Sequence, residues 1–269
     1  MWRDLGLLRS ELGLMLSRWR NRLGLGVLAL VPLMVTIGMY QSSRAGGGPD
    51  IVGGLTNGLV VPLTALFAEA VLFLPLAVAM LSGDAIAGEA NQGTLRYLLT
   101  VPVARTRLLV VKYLSLMIGA VMGVGIVLLV GGILGVAVFG AGETATLSGS
   151  RIGFWDSLGR LLLAGAYVSV ILWAIAAIGL FFSTLVDQPV AVSIGVMVVV
   201  ALMGIAQAVP ELEWLRPWLL TTRVQSFVDL MRDPIYWTQM RNGVLVALGW
   251  MAVFLAAAWA RFTSRDITS

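Results

Sequence analysis

Six apolar runs, each long enough to cross a bilayer, limit what this chain can fold into. They cover residues 23–40, 59–81, 108–139, 158–182, 190–209 and 244–262. A helix needs about 20 mostly apolar residues to span a membrane, whereas spanning strands alternate apolar and polar residues. These runs are continuous rather than alternating. The sequence therefore predicts an all-α integral membrane protein with six transmembrane helices.

The composition narrows the functional classes further. Only 12% of the 269 residues are charged, which is about half the share found in soluble domains. The net charge of +4 comes from basic residues spread among apolar runs, a pattern that does not suggest a nucleic acid partner. The chain has no Cys and no His, which excludes disulfides, imidazole metal sites and Ser-His nucleophiles. We therefore predict no catalytic residue, no metal-binding residue and no bound cofactor.

The distribution of basic residues predicts the orientation of the spans. An even number of spans places both chain ends on one side, and that side carries eleven of the 18 Lys and Arg residues. The bias is clear at the first span, which follows Arg18, Arg20 and Arg22 and precedes only Arg44. Because basic loops stay in the cytoplasm, we predict a multi-pass protein of the inner (plasma) membrane with both termini cytoplasmic.

Residues 1–22 carry a separate amphipathic pattern ahead of the first span. Leu5, Leu8 and Leu12 recur at helical spacing, and Glu11 falls on another side. The pattern predicts an interfacial helix that lies on the membrane before the chain turns into the first span. The alternative is a plain extension of the first transmembrane helix.

A polar island interrupts the apolar sequence between the second and third runs. Residues 88–112 read GEANQGTLRYLLTVPVARTRLLVVK and contain three arginines and the only lysine of the chain. A short amphipathic helix can form over residues 91–99, ended by Pro102. Such a helix gains little against bare cytosol, but it buries its leucines when it docks into a groove on a partner. The alternative is a solvated loop whose arginines only fix the topology.

Residues 82–114, SGDAIAGEANQGTLRYLLTVPVARTRLLVVKYL, resemble the signature of ABC transporter permeases of the type-2 membrane-domain family. The motif residues are Gly88, Glu89, Gly93, Thr94, Leu98, Leu99, Pro102, Arg105 and Lys112. The ending ARFTSRDIT, residues 260–268, is similar to the usual ending of the family. The resemblance covers the whole chain and includes permeases for nitrous-oxide-reductase maturation and for drug or antibiotic export.

The resemblance implies that residues 84–107 form a coupling loop, whose coupling helix docks on a separate ABC ATP-binding subunit. The residues that it places at or near this joint are Glu89, Gly93, Thr94, Leu95, Leu98, Leu99 and Arg105. It also implies that residues 23–269 form one permease domain. A second copy or a related permease would complete the pathway, and two ATP-binding subunits would dock beneath.

The absence of a Walker A motif assigns the nucleotide to the partner. The only lysine, Lys112, follows Leu-Leu-Val-Val rather than a glycine-rich loop. ATP and Mg²⁺ are therefore expected on the partner subunit. The resemblance favours export, and the apolar spans favour an apolar or amphipathic substrate.

Glu69 lies inside the second run, where a charged side chain costs about 2.5 kcal/mol or more. Such residues usually face a cavity or a partner, so Glu69 is a candidate substrate contact. The alternative is a neutral carboxyl that is hydrogen-bonded to another helix, near Thr36 or Gln207.

Residues 210–242 combine aromatic residues, including Trp214 and Trp218, with three prolines. The resemblance implies an outer re-entrant segment that caps the pathway, with these tryptophans at the outer gate. The alternative is an interfacial loop with aromatic anchors.

Glycines recur at four-residue spacing in the third run, as Gly119 with Gly123 and Gly131 with Gly135. Small residues at this spacing let helices approach closely. We expect packing within the chain, with a contact between two copies as the alternative.

Two other functions stay open at this point. One is a membrane enzyme that acts on lipid-linked substrates, for which Asp84 and Glu89 are the nearest pair of acids. The other is a membrane scaffold that transports nothing. Copurification with an ATPase, and ATP turnover stimulated by substrate, would favour a permease over both.

Overall fold

The apolar runs form long helices in the computed structural model of the chain, which describes residues 2–44, 57–91 and 105–264. The α-helices are α1 (Trp2–Ser17), α2 (Trp19–Arg44), α3 (Val60–Val71), α4 (Phe73–Ala85), α5 (Ala87–Asn91), α6 (Arg105–Phe139), α7 (Phe154–Leu185), α8 (Pro189–Ala208), α9 (Leu220–Val224) and α10 (Trp237–Ser264). Two 3₁₀ helices, Pro210–Trp218 and Gln225–Met231, flank α9.

The number of candidate crossings agrees with the sequence. Helices α2, α6, α7, α8 and α10 are each long and apolar enough to span a membrane. Helices α3 and α4 pass the same test as a pair, which gives up to six crossings within the described ranges. The predicted all-α membrane fold is confirmed.

Several helices extend beyond the apolar runs that predicted them. Helix α2 begins at Trp19 rather than at residue 23, and α1 ends at Ser17. Helix α10 begins at Trp237 rather than at residue 244. The predicted outer segment, residues 210–242, therefore ends before residue 237. An apolar run marks the part of a helix that contacts lipid, whereas the hydrogen-bonded backbone continues into polar sequence beyond it.

The second span is broken rather than straight. Helices α3 and α4 meet at Leu72 with a bend of 55°. Pro75 has no N–H to donate to the carbonyl of Val71, which opens the helix at this turn. The Leu72 N–H instead donates to the Glu69 carbonyl at 3.3 Å, and the Leu76 N–H donates to the Leu72 carbonyl at 2.9 Å.

Helix α7 lies at the centre of the bundle. In its most apolar window 72% of the residues are buried, against 17–28% in the other four long helices. It contacts α4, α6, α8 and α10. Small residues permit these contacts: Gly165 lies against Leu128 and Val124 of α6, and Gly179 lies against Ser82 of α4.

The four glycines of α6 that recur at four-residue spacing pack within the chain, as expected. Gly131 contacts Pro62, and Gly135 lies against the backbone of Gly58 at the start of the second span. Close approach of two backbones requires glycine at both positions.

The two ends of the bundle differ. We call the end that holds α1, α5, the start of α6 and the end of α10 the proximal end, and the opposite one the distal end. The distal end carries an antiparallel hairpin of two-residue strands, β1 (Thr144–Ala145) and β2 (Arg151–Ile152). Gly149 turns this hairpin with a φ of +83°, a conformation that favours glycine. We expected no strands, and this pair is too short to give a hydrophobic pattern.

Candidate functional site

The described parts of the polar island lie at the proximal end. Helix α5 precedes residues 92–104, and Arg105 at the start of α6 follows them. Five of the predicted joint residues, Gly93, Thr94, Leu95, Leu98 and Leu99, lie outside the described residues. The site is therefore described from its two ends.

A group of six charged residues, which we call the proximal charge cluster, occupies this region. Its members are Glu11, Arg18, Arg20, Asp84, Glu89 and Lys112. They come from α1, the start of α2, the end of α4, α5 and the second turn of α6. Three cations face three anions, so the cluster has no net formal charge.

Lys112 lies at the centre of the cluster. Its side chain is charged but only 1% exposed, and it lies in one of the most apolar helices of the chain. Its Nζ donates to Glu89 Oε1 at 2.6 Å and to the two carboxylate oxygens of Glu11 at 3.2 and 3.3 Å. Lys112 therefore joins α6 to both α5 and the N-terminal helix.

Asp84 forms the second half of the cluster. Its Oδ1 forms ion pairs with Arg18, at 2.9 Å, and with Arg20. These arginines lie at the break between α1 and α2, where the Asn21 side chain donates to the Met15 carbonyl at 2.9 Å. The break thus turns two basic side chains toward the end of the second span.

Burial sets the electrostatics of the cluster. Taking charges out of water is costly, and attraction between partners must offset that cost. Desolvation raises the pKa of the Glu89 carboxyl above its usual value, and the nearby Lys112 offsets part of this effect. An ion pair of this kind holds its elements together only while every partner is present.

The motif residue Gly88 lies against the same cluster. A Cβ at position 88 would lie 2.8 Å from Nη1 of Arg18, at the end of that flexible side chain. A larger residue there would require the guanidinium of Arg18 to shift.

Ser183 of α7 holds the turn between α4 and α5. Its Oγ accepts hydrogen bonds from the N–H groups of Ile86 and Ala87, at 3.0 and 2.9 Å. These donors lie where the helix breaks, so they need an acceptor outside the helix. The start of the island is thereby attached to the central helix of the bundle.

The far end of the island is attached to the last helix. Nη1 of Arg105 donates to the carbonyl of Thr263 at 3.0 Å. The indole N–H of Trp259 donates to the Thr106 hydroxyl, also at 3.0 Å. An arginine on the last carbonyls of a helix satisfies groups that the helix itself leaves without donors. Helix α10 is therefore joined to the start of α6.

Glu69 is fully buried in α3, one turn before the break at Leu72. Neither of its carboxylate oxygens has a hydrogen-bond partner among the residues that the structure describes. The expected alternative, a hydrogen bond near Thr36 or Gln207, is not seen there: the Thr36 hydroxyl donates to the Pro32 carbonyl. Gln207 instead lines a nearby cavity.

That cavity lies beside the break and has a volume of about 530 Å³. Apolar residues from the two halves of the second span, from α7 and α9 and above all from α8 form most of its wall, and Gln207, Thr221 and Gln225 add polar groups. A mostly apolar chamber with a few polar groups is typical of small-molecule sites.

The two predicted gate tryptophans lie on the distal 3₁₀ helix, Pro210–Trp218. Trp214 and Trp218 are 69% and 64% exposed. The segment after them is held down, since Tyr167 donates to the Arg223 carbonyl at 2.7 Å and Arg160 donates to the Leu230 carbonyl at 2.8 Å. The segment therefore covers the distal ends of the helices and leaves the tryptophans on its outer surface.

Four residues of the site were not predicted from the sequence: Glu11, Arg18, Arg20 and Ser183. One signal pointed to such a cluster: a lone lysine at the start of an apolar helix needs a carboxylate partner. The sequence alone does not identify that partner, because Glu11 and Lys112 are separated by 101 positions.

The family described as ABC-2 family transporter protein matches residues 15–267, nearly the whole chain. Comparison with curated proteins gives no significant match. The matched range includes the proximal charge cluster apart from Glu11, and all the candidate crossings. The chain therefore belongs to the ABC-2 family of transporter proteins and is a membrane-spanning permease subunit of an ABC transporter.

Proposed function

We propose that a separate ATP-binding subunit docks on residues 84–107 and drives this permease from the proximal side. The proximal charge cluster supports the proposal best. It attaches the start of the island to α1, α4 and α6 through buried ion pairs. Arg105 attaches the other end of the island to α10.

These attachments give the docking segment a mechanical role. A displacement of α5 moves Glu89, and through Lys112 it moves α6 and the N-terminal helix. Ser183 passes the same displacement to α7. Packed helices that shift as rigid bodies are a common means of switching between two states. The segment thus acts on most of the bundle at once.

The nucleotide chemistry belongs to the partner in this proposal. The chain has no glycine-rich loop ending in Gly-Lys-Ser or Gly-Lys-Thr. ATP and Mg²⁺ then bind the partner, and this chain supplies the pathway. The proximal end, with both chain ends, faces the cytoplasm.

The proposed cargo is an apolar or amphipathic molecule that is exported. The cavity beside the break offers a mostly apolar wall with three polar side chains. Glu69 lies one turn from that break and is our candidate contact in the pathway. If Glu69 serves transport, Glu69→Gln and Glu69→Leu should both lose transport at normal expression. Normal transport by Glu69→Leu would remove Glu69 from the pathway.

Six crossings supply one half of a pathway, so we propose that two permease chains pair and that two ATP-binding subunits dock beneath them. The partner chain is a second copy or a related permease.

The docking proposal is tested with the Leu98→Asp/Leu99→Asp double variant. Two aspartates should prevent burial of the leucines in a groove on the ATPase. We expect the variant to insert normally, to copurify poorly with the ATP-binding subunit, and to lose substrate-stimulated ATP turnover. The control is Leu147→Asp, which alters a leucine that is 62% exposed at the distal end.

Transport at the wild-type rate by the double variant would contradict the proposal. Loss of the folded protein is monitored separately, by thermal unfolding in detergent. A variant that unfolds at the wild-type temperature but transports nothing supports docking through this segment.

A further inference from the structure

A long open groove runs along the lipid-facing side of the last helix at the distal end. Its volume is about 770 Å³. One wall of the groove is α10, where Leu245, Gly249 and Val253 follow one another at helical spacing. The other wall is the end of the distal 3₁₀ helix, at Pro217 and Trp218. The indole N–H of Trp250 donates to the Trp218 carbonyl at 2.9 Å, which fixes the two walls together.

The groove is polar at one end only. Arg223 and Asn242 lie at its distal end, and among the described residues that line it Arg223 alone carries a charge. Arg223 Nε donates to the Pro217 carbonyl at 3.1 Å, and Nη1 donates to Gln239 at 2.6 Å. These bonds use two of the five N–H donors of a guanidinium and orient the rest. An oriented arginine of this kind suits an anionic oxygen ligand.

The length of the groove matches one leaflet of a bilayer. From Asn242 to Phe254 a helix rises about 18 Å, and half of the hydrocarbon core of a membrane is about 15 Å thick. The arginine lines the groove together with Trp218, near the end where α10 begins, and tryptophans mark the membrane interface. The charged end is therefore at head-group depth and the apolar end is among the acyl chains.

We propose that this groove binds one glycerophospholipid, with its phosphate on Arg223 and an acyl chain along Gly249 and Val253. The groove has its cation at one end and its apolar floor beyond it. A phospholipid has its phosphate and its acyl chain in the same order. The floor has space for the chain, since a Cβ at Gly249 would meet no atom within 4 Å. The site would hold the distal segment against α10 through the lipid.

The shape of the groove favours a lipid over a second copy of the chain. A contact between identical copies related by a two-fold axis brings the same patch of each together. Such a pairing would bring the two Arg223 side chains into one apolar interface. A phosphate neutralises the single arginine instead, and a flexible acyl chain fills a narrow channel.

The test is native mass spectrometry of the purified full-length chain titrated with dioleoyl phosphatidylglycerol. We expect the wild type to keep one tightly bound lipid after washing with detergent. Gly249→Trp fills the floor and should abolish this binding. Arg223→Gln should weaken it about tenfold or more, the effect of one lost charged hydrogen bond. Dioleoylglycerol, which lacks the phosphate, should bind weakly and equally well to wild type and Arg223→Gln.

The controls use matched positions elsewhere. Gly125→Trp adds the same side chain at a glycine of α6 that also has open space around it. Arg151→Gln removes an arginine that is 76% exposed on the distal hairpin. Both should bind the lipid like the wild type, and thermal unfolding checks that every variant is folded.

Three results would overturn the proposal. The first is wild-type affinity for phosphatidylglycerol in Gly249→Trp. The second is an equal loss of both lipids in Arg223→Gln, because the phosphate would then have no role. The third is a photo-crosslinker at position 249 that joins two copies of the chain in a bilayer, which would make the groove a contact between copies.

Discussion

At the residue scale, Lys112 explains how so apolar a chain tolerates charges in its interior. Its Nζ contacts two carboxylates, one from α1 and one from α5. Each member of a buried ion pair is costly alone, and the pair is stable because both charges are present. The cluster therefore favours one arrangement of α1, α5 and α6, since any other arrangement separates the charges.

Lys112→Met should destabilise the protein by about 3–5 kcal/mol, because it leaves Glu11 and Glu89 buried without their cation. Replacing all three residues with methionine should recover most of that loss, since apolar groups of similar volume need no partner. Thermal unfolding in detergent measures both changes. The control is Arg151→Met, whose exposed pair with Glu143 should contribute at most about 1 kcal/mol. Equal unfolding temperatures for wild type and Lys112→Met would show that the ion pairs do not stabilise the fold.

At the element scale, the broken second span decides where the cavity and the buried acid lie. A straight helix over residues 60–85 would carry an unbroken hydrogen-bond ladder. Pro75 removes one bond of that ladder, and α3 and α4 then follow different directions. Helix α3 packs against α6 through Gly58, Gly131 and Gly135, whereas α4 contacts α7 and α8. The cavity forms where the two halves diverge.

Gly135→Ala should lower the free energy of unfolding by about 1–3 kcal/mol, because its Cβ would overlap the backbone carbonyl of Gly58. A backbone cannot change rotamer to make room, so α3 must move. Gly132→Ala, on the same helix with no atom within 4 Å of the new Cβ, is the matched control. It should be neutral or stabilising by up to about 1 kcal/mol, the helix preference for alanine over glycine. Equal stability of the two variants would mean that α3 and α6 are not held by this contact.

At the scale of the whole molecule, the attachments of the island converge on one end of the bundle. The N-terminal helix, the end of the second span, the start of the third and the end of the last one all meet there. The distal end holds the hairpin and the segment that carries Trp214 and Trp218. A force applied at the proximal end thus reaches most of the helices, while the distal segment is held separately by Tyr167 and Arg160.

The proposed orientation predicts opposite labelling of the two ends. The chain has no cysteine, so single-cysteine variants need no prior substitution. A membrane-impermeant maleimide added to intact cells should label Leu147→Cys on the distal hairpin. It should label Ser264→Cys, at the proximal end of α10, only after the cells are lysed. Labelling of Ser264→Cys in intact cells would place the island outside and would rule out docking of a cytoplasmic ATPase.

The sequence by itself determined the class of fold and the positions of the long apolar helices along the chain. These are local properties, because contact with lipid depends on the apolar character of each run of about 20 residues. The four glycines of α6 that recur at four-residue spacing, Gly119, Gly123, Gly131 and Gly135, were likewise expected to pack within the chain, and they do. The family followed from a motif that is contiguous in the sequence, and the match over residues 15–267 confirms it.

Only the tertiary structure decided which charges meet. Glu89, whose place at the joint with the ATPase stays a prediction, pairs in the structure with Lys112, which also pairs with Glu11. Glu11 and Asp84 pair with residues 101 and 64 positions away, so no spacing in the sequence reveals them. The apolar character of a run can be summed residue by residue along the chain. Which charges pair depends instead on which charged side chains the packing of the helices brings within about 4 Å of one another.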